Sequence, residues 1–143
     1  MLVYLDNCCF NRPFDDQSQV RILLETEAKL AVQERIHRGA LRLAWSYMMD
    51  YENAANPFAD RRLSISAWRG FAAVDISGSD EIAARASHIR GLGFRAKDAI
   101  HLSCAIEAGC NIFLTTDSGI IKKAGLVSDI AILNPVDYDF MTP

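Results

Sequence analysis

The sequence predicts an α/β fold with a mostly parallel central sheet of about five strands. Short apolar or β-branched runs alternate with stretches of helical periodicity along the chain. Two of these runs, Leu2 to Leu5 and Ile112 to Leu114, are apolar throughout, which is typical of strands covered on both faces. The chain has 143 residues, the size of one domain, so we expect a single domain over residues 1–143.

The elements follow one another in a simple order. Five runs are predicted as strands: Leu2 to Leu5, Leu41 to Trp45, Phe71 to Ile76, Asn111 to Thr115 and Ala131 to Leu133. A helix over Ala96 to Ala108 precedes the fourth strand and is closed by Gly109. The stretch after the second strand is also expected to be helical.

The long segment between the first two strands predicts a helix over Asp16 to Arg38. Its apolar residues recur at helical spacing, and Gly39 is a plausible residue to end it. The spaced positions are Val20, Leu23, Leu24, Ala28 and Ala31. Because Pro13 disfavours helix at the residue before it, we expect a turn there, with Asp15 or Asp16 capping the helix that follows.

Composition narrows the class of protein. Hydrophobic residues make up 50% of the chain, with 8 Gly and 4 Pro, which favours a globular protein over disorder. No apolar run approaches the ~20 residues that cross a bilayer, so we expect a soluble, cytoplasmic protein without a membrane partner. The four cysteines match no zinc spacing and are expected to be free and mostly buried.

Acidic residues follow the predicted strands. Asp6 comes directly after the first strand and Asp117 after the fourth, while Asp98 falls in the first turn of a helix and Glu52 lies on the helical stretch after the second strand. In parallel sheets, ligands bind beyond the carboxyl ends of the strands, where at least Asp6 and Asp117 should meet. Each acid also has an ordinary structural interpretation, as a helix cap or a turn residue.

A cluster of carboxylates favours a hard cation. Carboxylates ~5 Å apart repel by roughly 3 kcal/mol per pair at an effective dielectric near 20, and a bound cation removes that cost. Oxygen ligands suit Mg²⁺ or Mn²⁺, and such ions assist phosphodiester hydrolysis. The net charge of −3 argues against a nucleic-acid partner only if the acids bind no cations.

Four sequence segments together resemble the PIN domain family of VapC-type toxin ribonucleases. The segments are YLD at Tyr4 to Asp6, SYMMDYE at Ser46 to Glu52, KDAIHLSCAIEAGC at Lys97 to Cys110, and FLTTD at Phe113 to Asp117. The resemblance implies a single-domain three-layer sandwich and a Mg²⁺- or Mn²⁺-dependent endoribonuclease. It also implies an RNA substrate, a homodimer and a small antitoxin protein as partner.

The resemblance assigns Asp6, Glu52, Asp98 and Asp117 as the catalytic and metal-binding acids, with Thr115 as a supporting hydroxyl. Asp50 is a rival to Glu52, but on a helix the two would point about 200° apart, so we expect only one of them to serve. The residues after Asp117 are Ser118 and Gly119, where many family members have a further acid or Asn. The number of metals held, one or two, therefore stays open.

Three other candidate functional residues each have two interpretations. Arg12 either contacts a substrate phosphate or pairs with Asp15 or Asp16. Lys97 either touches an RNA backbone or is a plain surface lysine. His101, one turn after Asp98, either orders a metal-bound water or is a packed, hydrogen-bonded core residue.

Two other functions remain as alternatives. One is a PIN-like RNA-binding or protein-assembly module that has lost catalytic activity, since a fold does not determine a function. The other is a haloacid dehalogenase-like phosphatase, which needs a second aspartate two residues after the first; Cys8 stands there. The phosphatase is therefore disfavoured.

Overall fold

The computed structural model describes the backbone of residues 1–141 and the side chains of residues 1–138. Its five strands are β1 (Leu2–Leu5), β2 (Arg42–Ser46), β3 (Ala72–Ile76), β4 (Ile112–Leu114) and β5 (Ala131–Leu133). The predicted domain over residues 1–143 includes residues 142 and 143, which lie outside this range. The strand predictions are confirmed, with ends that differ by at most one residue.

The helices lie in the intervals between the strands, and one more follows β5. They are α1 (Asn7–Asn11), α2 (Val20–His37), α3 (Tyr47–Ala54), α4 (Ala59–Ala67), α5 (Asp80–Gly91), α6 (Ala96–Glu107), α7 (Ser118–Lys122) and α8 (Pro135–Met141). Short 3₁₀ turns cover Arg12–Phe14, Trp68–Phe71 and Ala124–Leu126. Within the described residues, no helix is long and apolar enough to cross a membrane.

All five strands pair in parallel, in the order β3-β2-β1-β4-β5. The chain builds outward from β1 to β2 and β3, then crosses back to add β4 and β5 on the other side. Because parallel crossovers are right-handed, this reversal places α2 and α4 on one face of the sheet and α5 and α6 on the other. The predicted α/β three-layer architecture is confirmed.

The central strands are buried on both faces, as their uniformly apolar sequences predicted. Every residue of β1 and β4 is buried. Tyr4 of β1 stacks on Phe113 of β4 with ring centroids 5.3 Å apart, and Phe10 meets Trp45 edge-on at 5.6 Å. Full burial of one such apolar side chain contributes about 1.5–3 kcal/mol, so these rings anchor the strand ends that carry the acids.

The predicted start of α2 is wrong by four residues. The helix begins at Val20, and Gln19 precedes it without a capping side-chain hydrogen bond. Asp16 instead accepts hydrogen bonds from the backbone N and the hydroxyl of Ser18, at 3.0 and 2.7 Å, while Asp15 pairs with Arg12 at 3.0 Å. Both aspartates are engaged within the turn, so neither caps the helix.

The helix ends were predicted more accurately than this start. Gly39 and Gly109, expected to close α2 and α6, have positive φ angles of 79° and 80°, the conformation that glycine adopts readily. The apolar stripe that indicated α2 nevertheless lies largely at the surface, since Val20, Leu23 and Leu24 are 70%, 40% and 49% exposed. Polar residues share the buried face of α2 instead, Lys29 among them.

Candidate functional site

Two acids meet at the carboxyl end of the sheet, where β1 and β4 lie side by side. Asp6 follows β1 and caps α1, and its backbone N donates to the carbonyl of Leu114 at 2.9 Å. Asp117 stands three residues after β4 and caps α7. The end of each strand therefore continues into a short helix whose first residue follows an acid.

The Asp6 carboxylate is held in place on both oxygens. It is 6% exposed, its Oδ1 accepts from the backbone N of Asn7 at 2.9 Å, and its Oδ2 accepts from the hydroxyl of Thr115 at 2.8 Å. The Cys8 thiol donates to the same Oδ2 at 3.4 Å. Burial raises the pKa of Asp6, against the opposing effects of His101 and of the Thr115 hydrogen bond.

Thr115 connects the two acids. Its hydroxyl donates to Asp6 and accepts from the backbone N of Asp117 at 3.1 Å. Asp117 uses Oδ1 to accept from the backbone N of Gly119 at 2.8 Å and of Ile120 at 3.3 Å. Among the described residues nothing bonds to its Oδ2, so one oxygen of Asp117 is available to a ligand.

Glu52 of α3 is oriented by a chain of buried side chains. Nε2 of His101 donates to its Oε1, since a carboxylate only accepts, and Nδ1 of the same ring lies 2.6 Å from the Tyr4 hydroxyl. Ser46, the residue that caps α3, lies 2.7 Å from the Tyr4 hydroxyl. Burial alone would raise the pKa of Glu52, but the His101 hydrogen bond and charge lower it overall, with help from Lys97.

His101 is therefore a packed, hydrogen-bonded residue, which was one of its two predicted roles. It is fully buried, and both of its ring nitrogens have partners. Its Nε2 orients the carboxylate of Glu52.

Asn7 joins this group although the sequence reasoning did not single it out. Its Nδ2 donates to Oε2 of Glu52 at 3.3 Å, while its Oδ1 is buried and has no hydrogen-bond partner among the described residues. The only signal in the sequence was its position directly after Asp6. Buried amide oxygens normally accept a hydrogen bond, so Asn7 has an unused acceptor close to Glu52 within the described part of the chain.

Asp98 lies half-buried in the first turn of α6. Burial, the negative charges of Asp6 and Asp117, and a smaller effect of Glu52 together raise its pKa to about 6, against an opposing effect of His101. Asp98 and Asp117 also line a common cavity of about 110 Å³. We refer to Asp6, Glu52, Asp98 and Asp117 as the acid site.

The acid site is open. Within the described residues, no three side chains of the types His, Cys, Asp and Glu are arranged closely enough to hold one metal ion. The four carboxylates still influence one another electrostatically, as the pKa of Asp98 shows. All of their free donors are oxygens, the ligand type that hard divalent cations prefer.

Asp50, the rival to Glu52, is engaged elsewhere. Its Oδ1 accepts from the indole N of Trp45 at 2.9 Å, and its Oδ2 lies 3.4 Å from Arg69. The structure thus brings Glu52, and not Asp50, next to the residues that surround Asp6.

Arg12 and Lys97 differ in availability. The Arg12 guanidinium is bound by Glu25 and by Asp15, each at 3.0 Å, so it lies in a structural ion-pair network. Pairing with Asp15 was one of its two predicted roles; contact with a phosphate stays a prediction. Lys97 is exposed beside the acid site, where its charge helps to lower the pKa of Glu52.

The same fold occurs in three solved structures. A chain in the crystal structure of FitAcB from Neisseria gonorrhoeae is 16% identical, with a TM-score of 0.61 over 93% of this chain and 97% of that one. A chain of VapBC2 from Rickettsia felis, solved with a DNA fragment from its promoter, is 14% identical, with a TM-score of 0.58 over 94% and 98%.

The third is a chain of VapBC-1 from nontypeable Haemophilus influenzae, which is 12% identical, with a TM-score of 0.60 over 94% and 98%. No family model matches this chain, and no curated protein matches it by sequence. At such low identity these likenesses show a common fold over nearly the whole chain.

Proposed function

We propose that this chain is a PIN-like, metal-dependent endoribonuclease that hydrolyses RNA phosphodiester bonds. The observation that carries the proposal is the grouping of acids at the carboxyl end of the sheet, where the Thr115 hydroxyl joins Asp6 to the backbone of Asp117 and where Asp98 and Asp117 line one cavity. The pKa of Asp98, raised to about 6 by burial and by the charges of Asp6 and Asp117, agrees with this grouping. Acids whose pKa values are perturbed by specific neighbours at the ligand-binding end of a sheet are candidates for function. The likeness to VapBC chains agrees with the resemblance of the sequence to VapC-type nucleases.

The donors of the acid site fit Mg²⁺ or Mn²⁺. Asp6, Glu52, Asp98 and Asp117 would hold the ion, and the unpartnered Oδ1 of Asn7 is a further oxygen beside them. A bound cation of this kind activates water and stabilises the departing oxygen of a phosphodiester. Since no three of these ligands converge among the described side chains, water and substrate oxygens would complete the ligand set, as Mg²⁺ favours.

The protein's own residues hold these carboxylates in position. Thr115 restrains Asp6 and the backbone of Asp117 together, and the Tyr4 to His101 chain restrains Glu52. Glu52 is kept ionised by its lowered pKa, so it carries the negative charge that binds a cation. Exposed Lys97 supplies a positive charge at the rim, where an RNA phosphate would pass.

The same proposal extends to the cellular setting. We infer a cytoplasmic toxin of a type II toxin-antitoxin pair, acting as a homodimer and neutralised by a small antitoxin protein. The names VapBC and FitAcB of the structural neighbours support this context, as does the sequence resemblance.

A second candidate function rests on the open geometry of the acid site. Because no three potential ligands converge among the described side chains, a PIN-like RNA-binding or assembly module without nuclease activity is the alternative. The two functions differ in a simple assay, since only the nuclease shortens RNA.

The test is cleavage of a mixed-sequence single-stranded RNA by purified protein in Mn²⁺, Mg²⁺ or EDTA. Wild-type protein and Asp80→Asn, which alters an exposed aspartate in the first turn of α5, should cleave in either metal and not in EDTA. Asp6→Asn and Asp98→Asn should lose cleavage. RNA binding without cleavage by wild type in both metals would support the module instead.

A further inference from the structure

A second cavity lies outside the acid site, beside the N-terminal half of the chain. It has a volume of about 260 Å³ and is bounded by α1, the 3₁₀ turn Arg12–Phe14, α2 and α4. None of the four acids contributes to it. Its lining residues are Phe10, Pro13, Phe14, Lys29, Leu30, Gln33, Ser64, Ile65 and Trp68. We call it the Lys29 pocket.

Lys29 is the unusual residue of this pocket. Its side chain is 4% exposed, and in the described part of the chain no carboxylate pairs with it. Its ammonium group instead lies 5.4 Å from the centre of the Phe10 ring. Burial lowers the pKa of Lys29 to about 8, only slightly opposed by Cys9. Buried charges are normally paired with an opposite charge. None of the described residues supplies a negative charge to Lys29.

Gln33 provides a second unused donor on the same helix. It lies one turn after Lys29 on α2, lines the same pocket and is 5% exposed. Its Nε2 is buried and has no hydrogen-bond partner among the described residues. An ammonium group without a paired carboxylate and a buried amide nitrogen without a hydrogen bond therefore lie one helical turn apart on α2, beside a cavity that no acidic residue lines.

The rest of the pocket is apolar. Three aromatic rings contribute to its wall, those of Phe10, Phe14 and Trp68, with Leu30 and Ile65 between them. A cavity of this volume approaches the lower end of the range typical of small-molecule sites, in which a few polar groups fix the ligand's orientation. Ser64, an exposed residue of α4, adds a hydroxyl to the lining.

We propose that the Lys29 pocket binds a small organic carboxylate with an apolar body about the size of one aromatic ring. The carboxylate would accept a hydrogen bond from Lys29, and the ring would pack against the aromatic wall. The single negative charge matches Lys29, the one cationic side chain among the described residues that line this pocket. This site is independent of the nuclease proposal, because it shares no residue with the acid site.

Benzoate is the probe, and neutral benzamide, which has nearly the same shape, is its control. Titration calorimetry at pH 7 in EDTA should show benzoate binding to the full chain with a dissociation constant of about 1 mM or tighter. Benzamide should bind at least about tenfold more weakly, because it cannot form the charge-assisted hydrogen bond. Equal affinity for the two probes, or no benzoate binding at ~10 mM, would overturn the proposal.

A pair of variants separates binding from folding. Lys29→Met keeps the side-chain length and removes the charge, so it should abolish benzoate binding while leaving the melting temperature unchanged or higher. Lys122→Met, at an exposed lysine of α7, is the matched control and should bind benzoate as wild type does. If Lys29→Met still binds benzoate, Lys29 is not the group that recognises the carboxylate. If wild type binds a peptide with a free terminal carboxylate but not benzoate, the pocket does not take a small organic carboxylate.

Discussion

Asp98→Asn should stabilise the metal-free protein at pH 7. The pKa of Asp98 rises from an ordinary value of 3.8 to about 6, and part of that rise comes from the charges of Asp6 and Asp117. A rise of ~2 units corresponds to about 3 kcal/mol at 1.36 kcal/mol per unit. Because the side chain is only half-buried, solvent screening reduces this cost to about 1–2 kcal/mol.

The effect should depend on pH in a defined direction. An acid whose pKa is raised in the folded state binds its proton more tightly there than in the unfolded chain, so its contribution to stability falls as pH rises from about 4 to about 6. Asparagine does not titrate. The variant should therefore gain its stability relative to wild type across this window and show little difference below pH 4.

Urea denaturation in EDTA at a series of pH values measures this effect, together with melting temperatures. At pH 7 the variant should melt about 3–6 °C above wild type. Asp80→Asn, also in the first turn of a helix but exposed, should instead lose about 0.3–1 kcal/mol through the helix dipole. The reasoning is refuted if Asp98→Asn destabilises as Asp80→Asn does, or if its effect is the same at pH 4 and pH 7.

Three further substitutions test how the acid site is held. Thr115→Val removes the 2.8 Å hydrogen bond to buried Asp6 and should lower the free energy of unfolding by about 1–3 kcal/mol in urea titrations, whereas Thr115→Ser should recover most of it. Tyr4→Phe removes the hydroxyl that contacts the buried His101 ring and Ser46, and should lower the free energy of unfolding by about 1–3 kcal/mol. The control Tyr51→Phe, at a side chain that is 64% exposed, should change it by almost nothing. Gly119→Ala places a methyl 3.0 Å from Oδ1 of Asp117, the carboxylate that caps α7. The variant should lower the rate of RNA cleavage while the melting temperature changes little. An unchanged cleavage rate would contradict a role of Asp117 in the reaction.

Much of the fold could be predicted because local and tertiary signals agree. The apolar runs of β1 and β4 are buried on both faces, and the glycines that end α2 and α6 have the positive φ angles expected of them. The start of α2 could not be predicted, because Asp16 closes a turn onto Ser18 and competes with helix capping. Such competition depends on side-chain geometry that spacing does not reveal.

The buried face of α2 could not be predicted from the sequence, for a different reason. Its apolar residues Leu23 and Leu24 are exposed, while Glu25 and Lys29 are buried. Glu25 is buried because Arg12 reaches it across 13 positions of sequence and pairs with it at 3.0 Å. No periodicity in a single helix predicts a partner outside it.

The acids at the strand ends could be predicted from the sequence, whereas the residues that hydrogen-bond to them could be predicted only in part. Parallel pairing of β1 with β4 brings Asp6 and Asp117 to one end of the sheet, as the order of elements implied. The bond of His101 to Glu52 spans 49 residues, and Asn7 carries no motif of its own. These contacts depend on how α1, α3 and α6 meet, which the linear pattern does not encode.

The most direct test of the acid site is a titration of Mn²⁺ followed by electron paramagnetic resonance, with wild type, Asp98→Asn and Asp80→Asn side by side. Our account predicts that wild type and Asp80→Asn deplete the signal of free Mn²⁺ with the same affinity. Asp98→Asn should bind at least about tenfold more weakly, since one charged ligand is worth about 1.4 kcal/mol or more. Equal Mn²⁺ binding by all three proteins, or none by wild type, would contradict a cation site at these carboxylates.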